Sequence, residues 1–226
     1  MARWLFAVLT GLLSVNSAAQ LAGSLALVSD YRFRGVSLSD DQAAAQLDVG
    51  FDHESGWYAG FFASNVRFYA DSPTRVQALA YAGYAQRLHD GVSVDAGASY
   101  SDFPGQSDYN YSEVHAGFTT DNLSGRLYFA PNYFGQELHT FYGEINGSRR
   151  LAENIRLFGH AGMLQIASGP SAGGASHFDA RAGVEIAFRA LRLQLSRVAN
   201  QGASPAYPVS DSRINGTWTA AVSGSF

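Results

Sequence analysis

The sequence predicts an all-β chain: a transmembrane, antiparallel, up-and-down β-barrel of about twelve strands with both termini on the periplasmic side. Three observations carry this. The last stretch, residues 216–226, alternates Thr217, Thr219, Ser223 and Ser225 with Trp218, Ala220, Val222 and Gly224 and ends on Phe226. That is the period of a strand with two unlike faces. Charged residues make up only 15% and aromatics 13%, with 24 Gly, yet mean hydropathy is −0.08. An apolar outside around a polar inside reconciles these values. The connections between alternating segments are, in turn, short and long.

The final strand would be an aggregation-prone edge if left unpaired, so it is expected to pair with the first strand and close the barrel. Its terminal aromatic resembles the signature read by the bacterial outer-membrane assembly machinery.

Residues 1–19 read as a secretory signal peptide. Arg3 supplies the charge, Trp4 to Leu13 the apolar stretch, and Ser17-Ala18-Ala19 the small residues before a cut at Gln20. The apolar run is too short to span a bilayer. The barrel then occupies 20–226. The absence of Cys excludes disulfides, thiolate metal sites, Cys nucleophiles and a lipoprotein anchor. The net charge of −4 is interspersed, which argues against nucleic acid as a partner. No cofactor motif is present.

In order, the first strand is expected over about 24–36, with Leu25, Leu27, Tyr31 and Phe33 on one face and Ala26, Asp30, Arg32 and Arg34 on the other. Such charges cost about 2–4 kcal/mol each at the bilayer midplane, so they belong inside. After a polar loop to Gln42, the second strand (about 43–52) sends Leu47, Val49 and Phe51 out and Gln46, Asp48 and Asp52 in. A Gly56 turn leads to the third (57–64), with Trp57 and Phe61 out and Tyr58 and Phe62 in. The fourth (75–88) has Val76, Ala80 and Tyr84 out, and a His89-Asp90-Gly91 turn follows. The fifth (92–100) alternates Val94, Ala96 and Ala98 with Asp95, Gly97 and Ser99. The sixth (109–119) turns Val114 and Phe118 out and Glu113 and His115 in.

The seventh (123–130) has Leu127 and Phe129 out and Arg126 and Tyr128 in. The eighth (138–148) has Phe141 and Ile145 out and Tyr142, Glu144 and Asn146 in, before a turn over 149–154. The ninth (155–165) directs Arg156 and His160 inward. A Gly- and Ser-rich loop over 167–176, read as the most flexible, precedes the tenth (178–188), whose Asp179, Arg181 and Glu185 face in. Arg189-Ala190 is a minimal turn. The eleventh (191–198) sends Leu191, Leu193 and Leu195 out and Arg192, Gln194 and Ser196 in. The long loop over 199–213 leads to the closing strand.

Connections near 54, 90, 121, 151 and 189 are short, and those near 38, 69, 104, 134, 171 and 206 tend to be longer. Outer-membrane barrels have short periplasmic turns and longer extracellular loops. Aromatics fall into two expected girdles: Tyr31, Phe33, Tyr100, Phe129 and Phe178 on the outer side, and Phe51, Trp57, Phe118, Phe188 and Phe226 on the periplasmic side.

Two stretches are distinctive: Ser29-Asp30-Tyr31-Arg32-Phe33-Arg34-Gly35-Val36-Ser37, and His53-Glu54-Ser55-Gly56-Trp57-Tyr58-Ala59-Gly60 followed by Ser64-Asn65-Val66. With the Gln-containing second strand and terminal Phe226, they resemble the TorF family of porin-like proteins, also known as the Gcw_chp family of conserved hypothetical outer-membrane proteins. The resemblance implies an outer-membrane location and solute passage. It implies no substrate and no catalytic residues.

The inward set comprises Asp30, Arg32, Arg34, Asp48, Asp95, Glu113, His115, Arg126, Glu144, Arg156, His160, Asp179, Arg181, Glu185 and Arg192. One reading is a porin in the bacterial outer membrane, a charged pore passing small polar or charged solutes, with Arg32, Arg34, Arg126 and Arg181 as an anion-attracting ladder. The other is a narrow barrel plugged by structural ion pairs. His115 and His160 invite a metal or pH role, but no short-spaced His pair or Cys supports a metal site. A barrel hydrolase acting at the outer leaflet is the competing class. His139 and Ser107 lie near the outer rim, yet no motif joins them as base and nucleophile. The expectation is a non-enzymatic channel in contact with outer-membrane lipid and lipopolysaccharide.

Overall fold

The structure is a computed structural model, and it describes residues 19–88, 91–170, 176–201, 206–209 and 216–226. The predicted signal peptide, up to residue 18, lies outside the described residues. So do His89 and Asp90 of the predicted fourth turn and parts of the two loops at 167–176 and 199–213.

Twelve strands form a closed antiparallel barrel, each paired with its sequence neighbour. They are β1 (Ala19–Val28), β4 (Ala44–His53), β5 (Trp57–Val66), β6 (Arg75–Arg87), β7 (Ser93–Asp102) and β8 (Tyr111–Thr119). The second half comprises β9 (Leu123–Ala130), β10 (His139–Ala152), β11 (Ile155–Ser168), β12 (Ser176–Phe188), β13 (Leu191–Gln201) and β14 (Thr217–Ser225). Between β1 and β4, a two-stranded hairpin, β2 (Arg32–Phe33) and β3 (Val36–Ser37), stands apart from the wall.

The seam forms between the first and last strands. Ser24 pairs with Ser225 and Val28 with Ala221. Beyond them, Gly23 and Phe226 exchange backbone hydrogen bonds of 3.1 and 3.0 Å. The Phe226 ring lies on the outer face where a Gly23 side chain would project; a Cβ there would sit 2.5 Å from the ring. Glycine at position 23 therefore makes room for the aromatic that ends the barrel.

Alternation places the apolar residues outside along the whole circumference. Leu25, Leu27, Leu127, Phe141, Ile145, Phe178, Ile186, Leu193 and Leu195 are all exposed on the outer wall. This is the surface a hydrocarbon phase requires. One outward cation, Arg197 near the outer end of β13, lies 5.9 Å from the Trp218 ring, an arrangement suited to the interfacial zone.

Two sequence expectations need correction. The first strand does not continue to Val36; it begins at Ala19 and ends at Val28. Residues 29–43 instead turn into the barrel, with the hairpin tip at Arg34 and Gly35 in the left-handed region (φ 51° and 80°). Two successive positive φ values define the tight hairpin turn whose twist matches its strands. Consequently Tyr31 and Phe33 are buried and do not belong to the outer girdle. Second, β10 extends to Ala152 and β11 to Ser168, so the turn between them is confined to residues 153–154. The remaining girdle members are exposed on the wall, with Phe129 only partly so.

The core is not spread along the barrel axis. It is gathered at the end bearing the long loops, where Leu38, Phe68, Phe103, Tyr133, Phe134, Leu138 and Tyr207 pack with the inward Phe62, Tyr111, Tyr128 and Tyr142. Rings meet edge-on or tilted, as in Phe68–Phe103 at 5.4 Å and Tyr111–Phe134 at 4.7 Å. An apolar plug thus fills the mouth of the barrel at the long-loop end.

Candidate functional site

Below the plug lies a cavity of about 240 Å³. Its lining runs from Tyr31 and Arg34 of the inturned segment to Asn122, Ser124 and Ser148 at the short-turn end of the barrel. Polar residues reach it because β-strands alternate: inward positions of β10 to β14 such as Glu144, Asn146, His160, Asp179, Glu185, Gln194 and Thr219 lie opposite the outward apolar row, with Phe158 and Val198 as apolar members of the same lining.

The hairpin straps this cavity. Its base is held by Asp30, which accepts hydrogen bonds from Arg32 Nε (2.6 Å), Ser37 Oγ (2.6 Å) and Ser39 Oγ (3.2 Å). Arg32 also donates to the Gly35 carbonyl (2.9 Å) and to Asp41 (2.7 Å). The tip touches β12 and β13: a Cβ on Gly35 would lie 2.7 Å from Asp179 Cβ and 3.0 Å from Asn200 Cβ. His177 Nε2 donates to the Arg34 carbonyl at 3.0 Å.

The Arg34 side chain then reaches β8, nearly opposite β1 in the strand order. Both its Nη atoms donate to Glu113, each at 2.9 Å, and Nη1 also donates to the Tyr133 hydroxyl at 3.0 Å. Its guanidinium carbon lies 4.1 Å from the Tyr142 ring centroid, 4.8 Å from Phe33 and 5.0 Å from Tyr128. A two-pronged ion pair inside an aromatic cage is a strong arrangement for a buried cation. Burial disfavours the Arg34 charge, but Glu113 and nearby tyrosine oxygens outweigh it and hold its pKa above the ordinary guanidinium value. Burial pushes the loop hydroxyls of Tyr133 and Tyr207 well up.

Three further networks line the wall. Asp95 accepts two hydrogen bonds from Arg126 Nη2 (3.0 and 2.9 Å) and one from His115 (3.1 Å), with the Tyr58 hydroxyl 3.0 Å from His115. Asp179 accepts from His160 (2.7 Å) and Tyr142 (3.0 Å), and Asn146 caps the other His160 nitrogen at 2.7 Å. Gly162 makes space for this group, since a Cβ there would overlap the Tyr142 hydroxyl. Arg181 donates to Ser196 (2.8 Å) and Gln194 (3.2 Å) and stacks 5.1 Å from Phe158. Gln194 in turn donates to Glu185 at 2.8 Å.

Of the residues expected to face inward, Asp30, Arg32, Arg34, Asp48, Glu113, Glu144, Arg156, His160, Asp179, Arg181 and Glu185 line the cavity. Asp95, His115 and Arg126 form their network on β7 to β9 away from it, and Arg192 sits at an inward register position of β13. The Arg32–Arg34–Arg126–Arg181 ladder is not a row of bare cations, because the first three are bonded to carboxylates. His139 packs edge-on against Phe129, and among the described residues it has no hydrogen bond to a hydroxyl.

The plug was not anticipated from the sequence. Its signal was present: Phe68, Phe103, Tyr133, Phe134 and Tyr207 are large aromatics placed in loops, where solvation favours small polar residues.

These features define a class: a twelve-stranded outer-membrane-type β-barrel with an apolar wall and a polar, strapped lumen. Comparison with known proteins agrees. The KdgM porin superposes with a TM-score of 0.57 at 12% identity, covering 91% of this chain and 99% of that one. The NanC porin gives 0.56 at 11%, again covering 91% and 99%. The COG4313 outer membrane channel from Pseudomonas putida F1 gives 0.54 at 10%, covering 94% and 97%. The chain belongs to the Gcw_chp family, described as bacterial protein of unknown function, whose model matches residues 14–226. No curated protein matches the sequence.

Proposed function

We propose that this protein is an outer-membrane channel for small polar or charged solutes, and that the strapped conformation is its closed state. The single observation carrying this is the charged, hydroxyl-rich cavity that runs inside a closed barrel from the strap to the periplasmic end. Small barrels can fill their interiors with side chains alone, whereas a solute path needs a void of this kind lined by charged and polar groups. The likeness in fold to the KdgM and NanC porins and to the COG4313 outer membrane channel supports the reading.

The remaining parts fit the same scheme. Residues 1–19 act as a cleaved export signal, and the Phe226 strand engages the assembly machinery. The apolar wall contacts outer-membrane lipid, with lipopolysaccharide at the outer rim. The inward charges line the solute path, and the chain has no catalytic role.

The strap offers a direct test. Its two ends meet, since Leu38 N donates to the Tyr31 carbonyl at 2.8 Å. Residues 32–37 can therefore be excised and the ends joined by a Gly-Gly link. In planar bilayers the intact barrel is expected to open rarely, and the excised form to show frequent and larger conductance steps. Absence of steps from both, when both migrate as folded barrels, refutes the channel reading.

A further inference from the structure

The Arg34 contacts describe a site as well as a latch. Three of its partners belong to the barrel wall: Glu113 on β8, Tyr128 on β9 and Tyr142 on β10. All three are buried and all three border the cavity. The wall thus supplies a carboxylate flanked by aromatic faces, the chemistry that recognises organic cations. Arg34 fills this site from a segment that is not part of the wall.

Removal of the strap tip would leave Glu113 as a buried carboxylate without its two guanidinium hydrogen bonds. An uncompensated buried charge is far more costly than a paired one, so the unstrapped state needs another cation at that position. The cavity as a whole favours the same sign. Six carboxylates and four guanidinium groups line it, and departure of Arg34 widens that imbalance.

We infer that Glu113, Tyr128 and Tyr142 form a binding site for a solute bearing a guanidinium or alkylammonium group, and that Arg34 occupies it as a tethered stand-in for that solute. This rests on the channel reading only for how the solute arrives. A cationic solute competes with Arg34 for Glu113 and so favours release of the strap. The lumen then prefers cations, as acidic pore linings do. The KdgM porin, similar to this chain in fold, is known in complex with disordered oligogalacturonate, a polyanion; the acidic lining here points to the opposite charge.

The test is chemical rescue of the full barrel in detergent. Arg34→Ala is expected to lower the thermal midpoint. Guanidinium chloride at millimolar concentration, far below denaturing levels, should recover most of that loss, while sodium chloride at equal ionic strength should not. The double variant Arg34→Ala/Glu113→Gln should show no guanidinium-specific recovery. If Arg34→Ala does not fold unaided, refolding from urea is the readout. Refolding that requires guanidinium, and requires it only when Glu113 is present, supports the site. A guanidinium effect equal to that of sodium, or equal in the double variant, overturns it.

Reversal potentials across a potassium chloride gradient supply the second arm. Arg34→Ala should be cation-selective, and the double variant less so; anion selectivity in Arg34→Ala overturns the inference. Rescue without current from any variant would keep the cation site and remove the channel reading, so the two failures are distinguishable.

Discussion

Substituting Gly35 with Ala strikes the strap where it meets the wall. Gly35 has φ of 80°, a conformation that costs a residue with a side chain about 1–2 kcal/mol. The added methyl would also sit 2.7 Å from Asp179 Cβ and 3.0 Å from Asn200 Cβ. Both atoms adjoin the backbone of barrel strands and cannot swing aside. Relief must come from the strap, and overpacking of this kind costs about 1–3 kcal/mol. The sum, about 2–5 kcal/mol, corresponds to a roughly 30-fold or greater shift from strapped to unstrapped conformers. Open probability in planar bilayers is the assay. Gly91→Ala is the control, because Gly91 also has positive φ (77°) but has nothing within 4 Å of a Cβ. It should lose a little stability and leave conductance unchanged. Equal open probabilities for Gly35→Ala, Gly91→Ala and the unaltered barrel would refute the argument that the tip holds the lumen shut.

Two predictions address the barrel itself. Gly23→Val puts a branched side chain where the Phe226 ring lies, so the seam should form poorly, read as loss of the heat-modifiable folded band on electrophoresis; normal folding would show that the ring is not needed there. Leu127→Arg places a charge on the outer wall in mid-strand, at a position 69% exposed, and should cost about 2–4 kcal/mol in urea unfolding from lipid vesicles. Ser99→Arg on the inward face should cost much less, and equal costs would contradict the assignment of the two faces.

The strands were legible in the sequence because a barrel wall is a local code. Side chains at i and i+2 share a face, so Phe178, Ala180, Ala182, Val184 and Ile186 declare the outside of β12 without any knowledge of their neighbours. The pairing of the terminal strand with the first was equally readable, since an unpaired apolar edge has only one remedy in a closed barrel. The inward charges followed from the same alternation, and their side of the wall was determined before their partners were known.

The strap shows where a local code stops. Residues 24–36 alternate on both sides of Val28 and Ser29, where the phase inverts for a single pair, and so brief a break does not by itself mark Val28 as the end of the strand. The left-handed turn at Arg34-Gly35 carries only one glycine, and the burial of Tyr31 and Phe33 depends on Phe62, Phe134 and Gln77 arriving from distant elements. Sequence determined that this chain has a greasy wall around a wet interior. Only the tertiary structure decided that the interior is closed at one end, because closure depends on contacts such as Arg34 with Glu113, 79 residues apart, which no one-dimensional period encodes.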